Sequence, residues 1–216
     1  MKLRFPNRRN EALTLVEALV VIVVIVVLFA VFMPAISNRS VRAPRIMCAN
    51  NLKQVGLAFR IFANDHGDTY PMNVSTNKGG SMEFVNSGDV FRHFRAMSNE
   101  LSTPRILICP SDTRKAASSF LTLNNSNISY FVGLDAANSL PQMLLSGDRN
   151  LMTNGVPVGS GLLNLTTNSV VGWTSAIHQN WANVLLGDGS VQQATSSRLR
   201  DQVANSGMAT NRIVVP

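Results

Sequence analysis

The most distinctive stretch of the sequence lies near the amino terminus, at residues 8–36. It reads Arg8-Arg9-Asn10-Glu11-Ala12-Leu13-Thr14-Leu15-Val16-Glu17, continues as an unbroken apolar run from Ala18 to Met33, and ends in Pro34-Ala35-Ile36. The 24 residues from Leu13 to Ile36 would form about 36 Å of helix at about 1.5 Å per residue. Because the hydrocarbon core of a bilayer is roughly 30 Å thick, this stretch predicts a single membrane-spanning helix.

One charged residue, Glu17, interrupts the apolar character of this run near its start. A carboxylate in lipid costs on the order of 2.5 kcal/mol or more unless it finds a partner, which makes Glu17 a candidate functional residue. A simpler interpretation is that its side chain reaches the head groups. Position alone leaves both interpretations open.

The segment Ala12-Leu13-Thr14-Leu15-Val16-Glu17 resembles the cleavage and methylation signal of type IV pilins and type II secretion pseudopilins. The resemblance implies that a prepilin peptidase cuts between Ala12 and Leu13 and methylates the new amino group of Leu13. Counting from Leu13, Glu17 is the fifth residue and Pro34 the twenty-second, where that family commonly has Glu and Pro. Ala12 replaces the commoner Gly, and Leu13 the commoner Phe.

The same resemblance implies roles for two residues of the mature helix. In a filament, the amino group of one subunit would neutralise Glu17 of a neighbour, so that Glu17 sets the register of assembly. Pro34 would kink the helix, because proline lacks a backbone donor and clashes with the preceding turn. The partners implied are the prepilin peptidase, other pilin-like subunits in a homo- or hetero-polymer, and the bacterial inner membrane.

Charge and length bound the remaining possibilities. The chain has 216 residues and a net charge of +7, of which residues 1–12 contribute +3, so cleavage would leave +4. This moderate charge does not predict a nucleic-acid partner. The 180 residues after position 36 suffice for one domain with its own core.

The location of the chain follows from the resemblance more than from charge counting. Basic residues flank the apolar run on both sides, with Arg39, Arg42 and Arg45 after it, so the positive-inside rule decides only narrowly. The resemblance implies a cytoplasmic leader, a single pass through the inner membrane and a periplasmic head. A competing interpretation is ordinary secretion, because Ala35 and Ser37 are small residues that a signal peptidase could read. It predicts a mature chain that starts at Asn38.

A second helix is predicted after Arg45, because apolar residues recur there at gaps of four, three, four and three. They are Cys48, Leu52, Val55, Phe59 and Phe62. Gly67 is a plausible C-cap, and Pro44 leaves open whether this helix continues the first or stands alone. The predicted organisation is a leader (1–12), a transmembrane assembly helix (13–36), its amphipathic continuation (37–66) and a head (67–216).

The head combines helices with short strands and resembles a bacterial subgroup of pilin-like proteins that carries an H-x9-DG motif. Here His178 is followed by nine residues and then Asp188-Gly189. The segments Cys48 to Ala58, Asp68-Thr69-Tyr70-Pro71 and Cys109-Pro110-Ser111-Asp112 are also similar to that subgroup.

Strands are expected at 105–109, 128–132, 143–146 and 170–173, with a hairpin over 183–193 that turns at Asp188-Gly189. Short helices are expected within 90–101 and after Ser196 or Ser197. The predicted fold class is therefore α+β and pilin-like, a long N-terminal helix with a transmembrane first half packed on a small antiparallel sheet.

Few residues suggest chemistry. Cys48 and Cys109 could form a disulfide in an oxidising compartment or remain two buried thiols, and their spacing does not predict zinc. His178 with Asp188 and Gly189 has a structural interpretation in the hairpin, with an oxygen-ligand ion site around Asp188 as the alternative. No catalytic residue, metal or cofactor is predicted.

The sequence thus predicts a structural, non-enzymatic subunit of a type II secretion pseudopilus or type IV pilus-like filament. Two alternatives remain. One is a membrane-anchored metal-dependent enzyme or binder that works through His178 and Asp188. The other is a secreted soluble binding module.

Overall fold

The computed structural model describes residues 14–37 and 39–216, with side chains over 14–30 and 43–216. The chain divides into two compact units, Met1–Arg42 and Ala43–Pro216. The described residues form five α-helices: α1 (Leu15–Ser37), α2 (Arg39–Asp65), α3 (Val90–Ala96), α4 (Ser98–Leu101) and α5 (Ser196–Ala204).

Helix α1 begins with a capping box formed by Thr14 and Glu17. The Thr14 hydroxyl accepts a hydrogen bond from the Glu17 backbone N–H at 3.3 Å. In return Glu17 Oε2 accepts one from the Thr14 backbone N–H and one from its hydroxyl, each at 2.8 Å. This reciprocal arrangement satisfies backbone donors that the first turn of a helix leaves unpaired. The Thr14 bonds also lower the pKa of the Glu17 carboxyl.

The membrane-spanning prediction is wrong. Among residues 14–37 and 39–216, no helix has both the length and the apolar character that crossing a membrane requires. The expectations of a transmembrane first half and of a single-pass inner-membrane protein with a cytoplasmic leader and periplasmic head are corrected accordingly.

The second unit contains nine strands in two antiparallel sheets. The strands are β1 (Tyr130–Gly133), β2 (Leu144–Asp148), β3 (Leu151–Thr153), β4 (Val156–Pro157), β5 (Gly161–Thr166), β6 (Val171–Trp173), β7 (Trp181–Leu186), β8 (Val191–Thr195) and β9 (Thr210–Val215). Six of them form a sheet in the order β5-β9-β1-β2-β7-β8, and β4-β3-β6 form a smaller one. The expected small sheet of a pilin-like α+β head is therefore also corrected.

The six-stranded sheet is buried on both faces, because alternate residues of its strands enter two different cores. In β9, Val214 packs in the core that contains the apolar face of α2, whereas Ile213 and Val215 pack in a second core with Trp173. This alternation is the period of two that a strand imposes on its side chains. The second core is closed by Leu199 and Val203 of α5.

Helix α2 has the predicted buried stripe. Cys48, Leu52, Val55 and Phe59 are fully buried, and the chain leaves the helix through Gly67 at φ +64°. Pro44 lies inside α2, in its second turn. Gly56 lets the helix approach β7 closely, because a Cβ there would lie 2.7 Å from Leu185 Cδ1.

Several local predictions are confirmed and one is wrong. The hairpin over 183–193 is present as β7 and β8, which pair antiparallel with Val184 opposite Gln192. The predicted strand at 105–109 is instead a 3₁₀ helix, Pro104–Leu107, capped by the Thr103 hydroxyl. Proline at the first helical position favours this turn, because its missing N–H is not needed there.

We expect His93 to make the fold sensitive to acid. His93 is fully buried in α3, and its Nδ1 lies 2.8 Å from the Ser81 hydroxyl. Burial lowers the pKa of His93 from 6.5 to about 4. The unfolded chain therefore binds this proton more tightly than the folded chain, and stability present above pH 6.5 is lost as the pH falls toward 4.

By this linkage His93 alone should cost about 2 kcal/mol of unfolding free energy between pH 7 and pH 5. The measurement is urea unfolding of the wild type and of His93→Gln at both pH values. The variant should lose about 2 kcal/mol less than the wild type over this interval. Equal losses in the two proteins would contradict the expectation.

Candidate functional site

Four buried polar side chains converge inside the second unit. They are Cys48, Cys109, Asp148 and His178, and their donor atoms all lie within 4.8 Å of one another. We call these four residues the buried quartet. They come from α2, from the turn after the Pro104–Leu107 helix, from the end of β2 and from the loop between β6 and β7.

The quartet is linked by short contacts. Cys48 Sγ donates to Asp148 Oδ1 at 3.1 Å. Cys109 Sγ and His178 Nε2 are 3.2 Å apart. The same Nε2 lies 3.7 Å from Asp148 Oδ2. Each residue therefore contacts at least one other member, and His178 and Asp148 each contact two.

The two cysteines are positioned by α2 and the segment that packs on it. Cys48 stands on the buried stripe of the helix. One turn along, Asn51 Nδ2 donates to the carbonyl of Ile108 at 2.9 Å, which fixes the residue before Cys109. The N–H of Ser129 donates to Leu107 at 2.8 Å and fastens the same segment to the chain just before β1.

Asp148 is placed by the sheet. It pairs with Tyr130 across the β1–β2 ladder, and the Tyr130 hydroxyl lies 3.3 Å from Cys48 Sγ. Asp148 Oδ2 accepts the backbone N–H of Asn183 at 2.7 Å and its side-chain amide at 3.3 Å. The carboxylate is thus held from β7 while its other oxygen faces Cys48.

His178 lies in a strained loop that several residues hold in place. His178, Gln179 and Asn180 have φ of +57°, +54° and +66°, a left-handed run without glycine. Such residues cost about 1–3 kcal/mol each and persist only where surrounding contacts determine them. Arg45 of α2 donates to the carbonyl of His178 at 2.9 Å. Asn150 donates to Thr174 and Ile177 just before it, at 2.9 and 3.1 Å.

Burial and mutual contact shift the pKa of every quartet member. Burial raises the pKa of the Cys48 thiol, whereas contact with Cys48, and then with His178, lowers the pKa of Cys109 to about 5. Burial, followed by the negative Cys109, raises the pKa of Asp148 to about 7. Burial alone would lower the pKa of His178, but its contacts with Cys109 and Asp148 raise it. Contacts within the quartet therefore lower the pKa of Cys109 and raise that of His178.

This geometry differs from that of a nucleophilic triad. In a Cys-His-Asp triad, one ring nitrogen of histidine contacts the nucleophile and the other contacts the carboxylate. Here both contacts are made to Nε2. The donor atoms converge on a common point, an arrangement suited to coordination or to a network of hydrogen bonds.

The H-x9-DG motif divides between two places. His178 joins the quartet, whereas Asp188-Gly189 forms the turn between β7 and β8, where Asp188 Oδ1 accepts the N–H of Ser190 at 2.8 Å. Gly189 has φ +80°, and the side chain of Arg60 donates to the carbonyl of Asp188. The structure thus does not bring Asp188 into the group formed by His178.

The other predicted site residues lie elsewhere. Ala12 and Leu13 fall outside the described residues, so the cleavage site stays a prediction. Glu17 and Pro34 belong to α1, where Glu17 takes part in the capping box. Cys48 and Cys109 are free thiols in the structure, and the disulfide between them remains a prediction.

Sequence reasoning missed the residues that complete the quartet and support it. In the sequence, Asp148 looks like one of several scattered loop carboxylates. It follows the largely apolar segment Met143-Leu144-Leu145-Ser146-Gly147 and ends a buried strand. An acidic residue in that position is a signal of a buried carboxylate. The supporting residues Arg45, Asn150 and Asn183 have no comparable local pattern.

Comparison with known protein families, with curated proteins and with solved structures gives no match. These comparisons therefore do not test the resemblance to pilins and secretion pseudopilins, which stays a prediction.

An ion pair beside the quartet joins the segment that carries Cys109 to the strand that carries Asp148. Arg149, next to Asp148, donates from Nε and Nη2 to the two oxygens of Asp112, both at 2.7 Å. The Asp112 side chain is only 1% exposed. Removing arginine would leave a buried carboxylate without its cation, which costs about 3 kcal/mol.

We expect Arg149→Ala to lower the free energy of unfolding by about 3 kcal/mol in chemical denaturation. The matched control is Arg212→Ala. Arg212 donates from Nε and Nη2 to Oδ1 of Asp135 at 2.9 and 2.6 Å, in a pair with side chains 44% and 18% exposed. An exposed pair contributes about 1 kcal/mol or less. Equal losses of unfolding free energy in the two variants would contradict the expectation that the buried Arg149–Asp112 pair is the more stabilising one.

Proposed function

We propose that this chain is a pilin-like structural subunit that is cut by a prepilin peptidase and polymerises with other copies through α1. One observation carries the proposal. Every large apolar side chain from Leu15 to Phe29 is at least 46% exposed, all around the helix. A helix that is apolar on every side is stable in water only when something covers it.

In this proposal, copies of the same helix cover α1. Between Leu15 and Ser37 the sequence has one ionisable residue, Glu17, and many Val, Ile and Leu side chains. Such side chains gain about 25 cal/mol for each Å² of apolar surface removed from water, whichever apolar surface covers them. Parallel α1 helices of neighbouring subunits supply such surface along their whole length.

Glu17 gives this packing a register in the proposal. Its capping contacts with Thr14 both use Oε2, so a neighbour's amino group would bind at Oε1. That group would be the methylated amino terminus of Leu13, freed by cleavage after Ala12. A charge pair inside an apolar helix bundle is costly when either partner is missing, which disfavours every other register.

The amino terminus of the natural protein tests processing. We expect mass spectrometry of the protein from its own cells to find a chain that starts at methylated Leu13. A chain that starts at Asn38 would support the secreted module instead, and an uncut Met1 would support a plain unprocessed chain. Either of these results contradicts the proposal.

Charged substitutions in α1 test assembly. We expect Ile22→Lys/Val24→Lys to reduce filaments collected by ultracentrifugation and counted by electron microscopy at least tenfold, because two lysine charges would be buried among apolar helices. Glu17→Ala should also be cleaved normally and join filaments poorly. The control is Leu121→Lys in the second unit, where the side chain is 88% exposed. Normal filaments from the double variant would contradict assembly through α1.

A further inference from the structure

We propose that the buried quartet is a structural zinc site, in which Cys48, Cys109, Asp148 and His178 supply one ligand each. The inference is independent of filament assembly, because all four residues lie in the second unit. It also departs from the sequence analysis, where the spacing of two cysteines did not predict zinc.

The spacing of the donor atoms matches a tetrahedral ion. Zinc bonds of about 2.0–2.3 Å to nitrogen, oxygen and sulfur give a tetrahedron with edges of about 3.3–3.8 Å. The three contacts within the quartet are 3.1, 3.2 and 3.7 Å, and all pairs of donor atoms fall within 4.8 Å. A metal at their centre requires only small side-chain adjustments.

The donor types select the metal. Two thiolates with an imidazole nitrogen suit zinc, whereas calcium and magnesium take oxygen ligands. All four side chains are buried, and all four positions of a tetrahedron are filled by protein, as in structural rather than catalytic zinc sites.

The surroundings already orient the ligands. Asp148 receives two hydrogen bonds from Asn183 at Oδ2, and Cys48 contacts the Tyr130 hydroxyl. Partners of this kind fix the ligands of metal sites and are nearly as important as the ligands. The left-handed run from His178 to Asn180 places the imidazole at the site, and strain of this sort is typical of functional positions.

A disulfide explains less of the arrangement. It would use both sulfur atoms and remove the thiol that donates to Asp148. A disulfide would also give no role to His178 and Asp148, whose donor atoms lie in the same group. Zinc uses all four donors. Binding would release the protons of the two thiols to solvent, and the two thiolates and one carboxylate would then carry three negative charges against the two positive charges of the ion.

The first experiment measures metal in the wild-type full-length chain. We expect protein purified from zinc-supplemented cells without chelators to contain about one zinc per chain by mass spectrometry of the elements. Refolding with cobalt(II) alone should give the thiolate charge-transfer band and intense visible bands of tetrahedral cobalt. Neither measurement depends on a variant that folds.

Variants then locate the ion. Cys109→Ser, Asp148→Asn and His178→Gln should each reduce zinc retained after dialysis against a weak chelator at least tenfold. The controls His66→Gln and Asp135→Asn change the same residue types outside the quartet and should keep one zinc per chain.

Three results would each overturn the proposal. One is wild-type protein that holds no zinc and gives no tetrahedral cobalt spectrum. Another is a denatured, unreduced chain about 2 Da lighter than its reduced form, which shows a disulfide made by loss of two hydrogen atoms. The third is zinc retained equally by quartet variants and controls, which places the ion elsewhere.

Discussion

The second unit depends on keeping four polar side chains satisfied where no water reaches them. A buried polar group without a partner costs several kcal/mol, so Cys48, Asp148 and His178 tolerate one arrangement far better than others. That arrangement exists only when α2, the turn at Cys109, β2 and the loop before β7 are all in place. The quartet therefore requires these four segments to fold together. An apolar core, which accepts several packings, does not impose this requirement.

The two units solve the burial of apolar surface in opposite ways. Helix α2 buries one apolar stripe, which a sheet of the same unit covers, although Ile46, Met47, Leu57 and Ile61 on its other faces are exposed. Helix α1 is apolar on every side, and its side chains over 15–30 are exposed. A stripe is satisfied within one chain, whereas a helix that is apolar all round requires cover from several directions. Packing of the second unit and the proposed assembly through α1 thus depend on different residues, so each should change without the other.

The sequence predicted features that local periodicity records, and it missed features that depend on distant residues. The stripe from Cys48 to Phe59 repeats at the spacing of a helix. The pair Asp188-Gly189 marks the turn of the hairpin. The strands β3, β4 and β5 are short or polar and carry no such pattern. The quartet joins residues up to 130 positions apart, from Cys48 to His178, so no window of sequence contains it. Thr14 and Glu17 have the spacing of a capping box, but the apolar run beside them favoured a membrane helix instead.

The nine residues within H-x9-DG have a structural explanation, because they consist of strand β7 and its flanking residues. Strand β7 has six residues and spans about 20 Å at about 3.3 Å each. Alongside it, Arg45 and Arg60 of α2 are fifteen residues apart, about 22 Å of helix. Arg45 donates to the carbonyl of His178 before the strand, and Arg60 donates to that of Asp188 after it. Between them Gly56 lets the helix lie against Leu185. The motif therefore fixes both ends of β7 to one helix, and a spacing longer or shorter by two residues would detach one end.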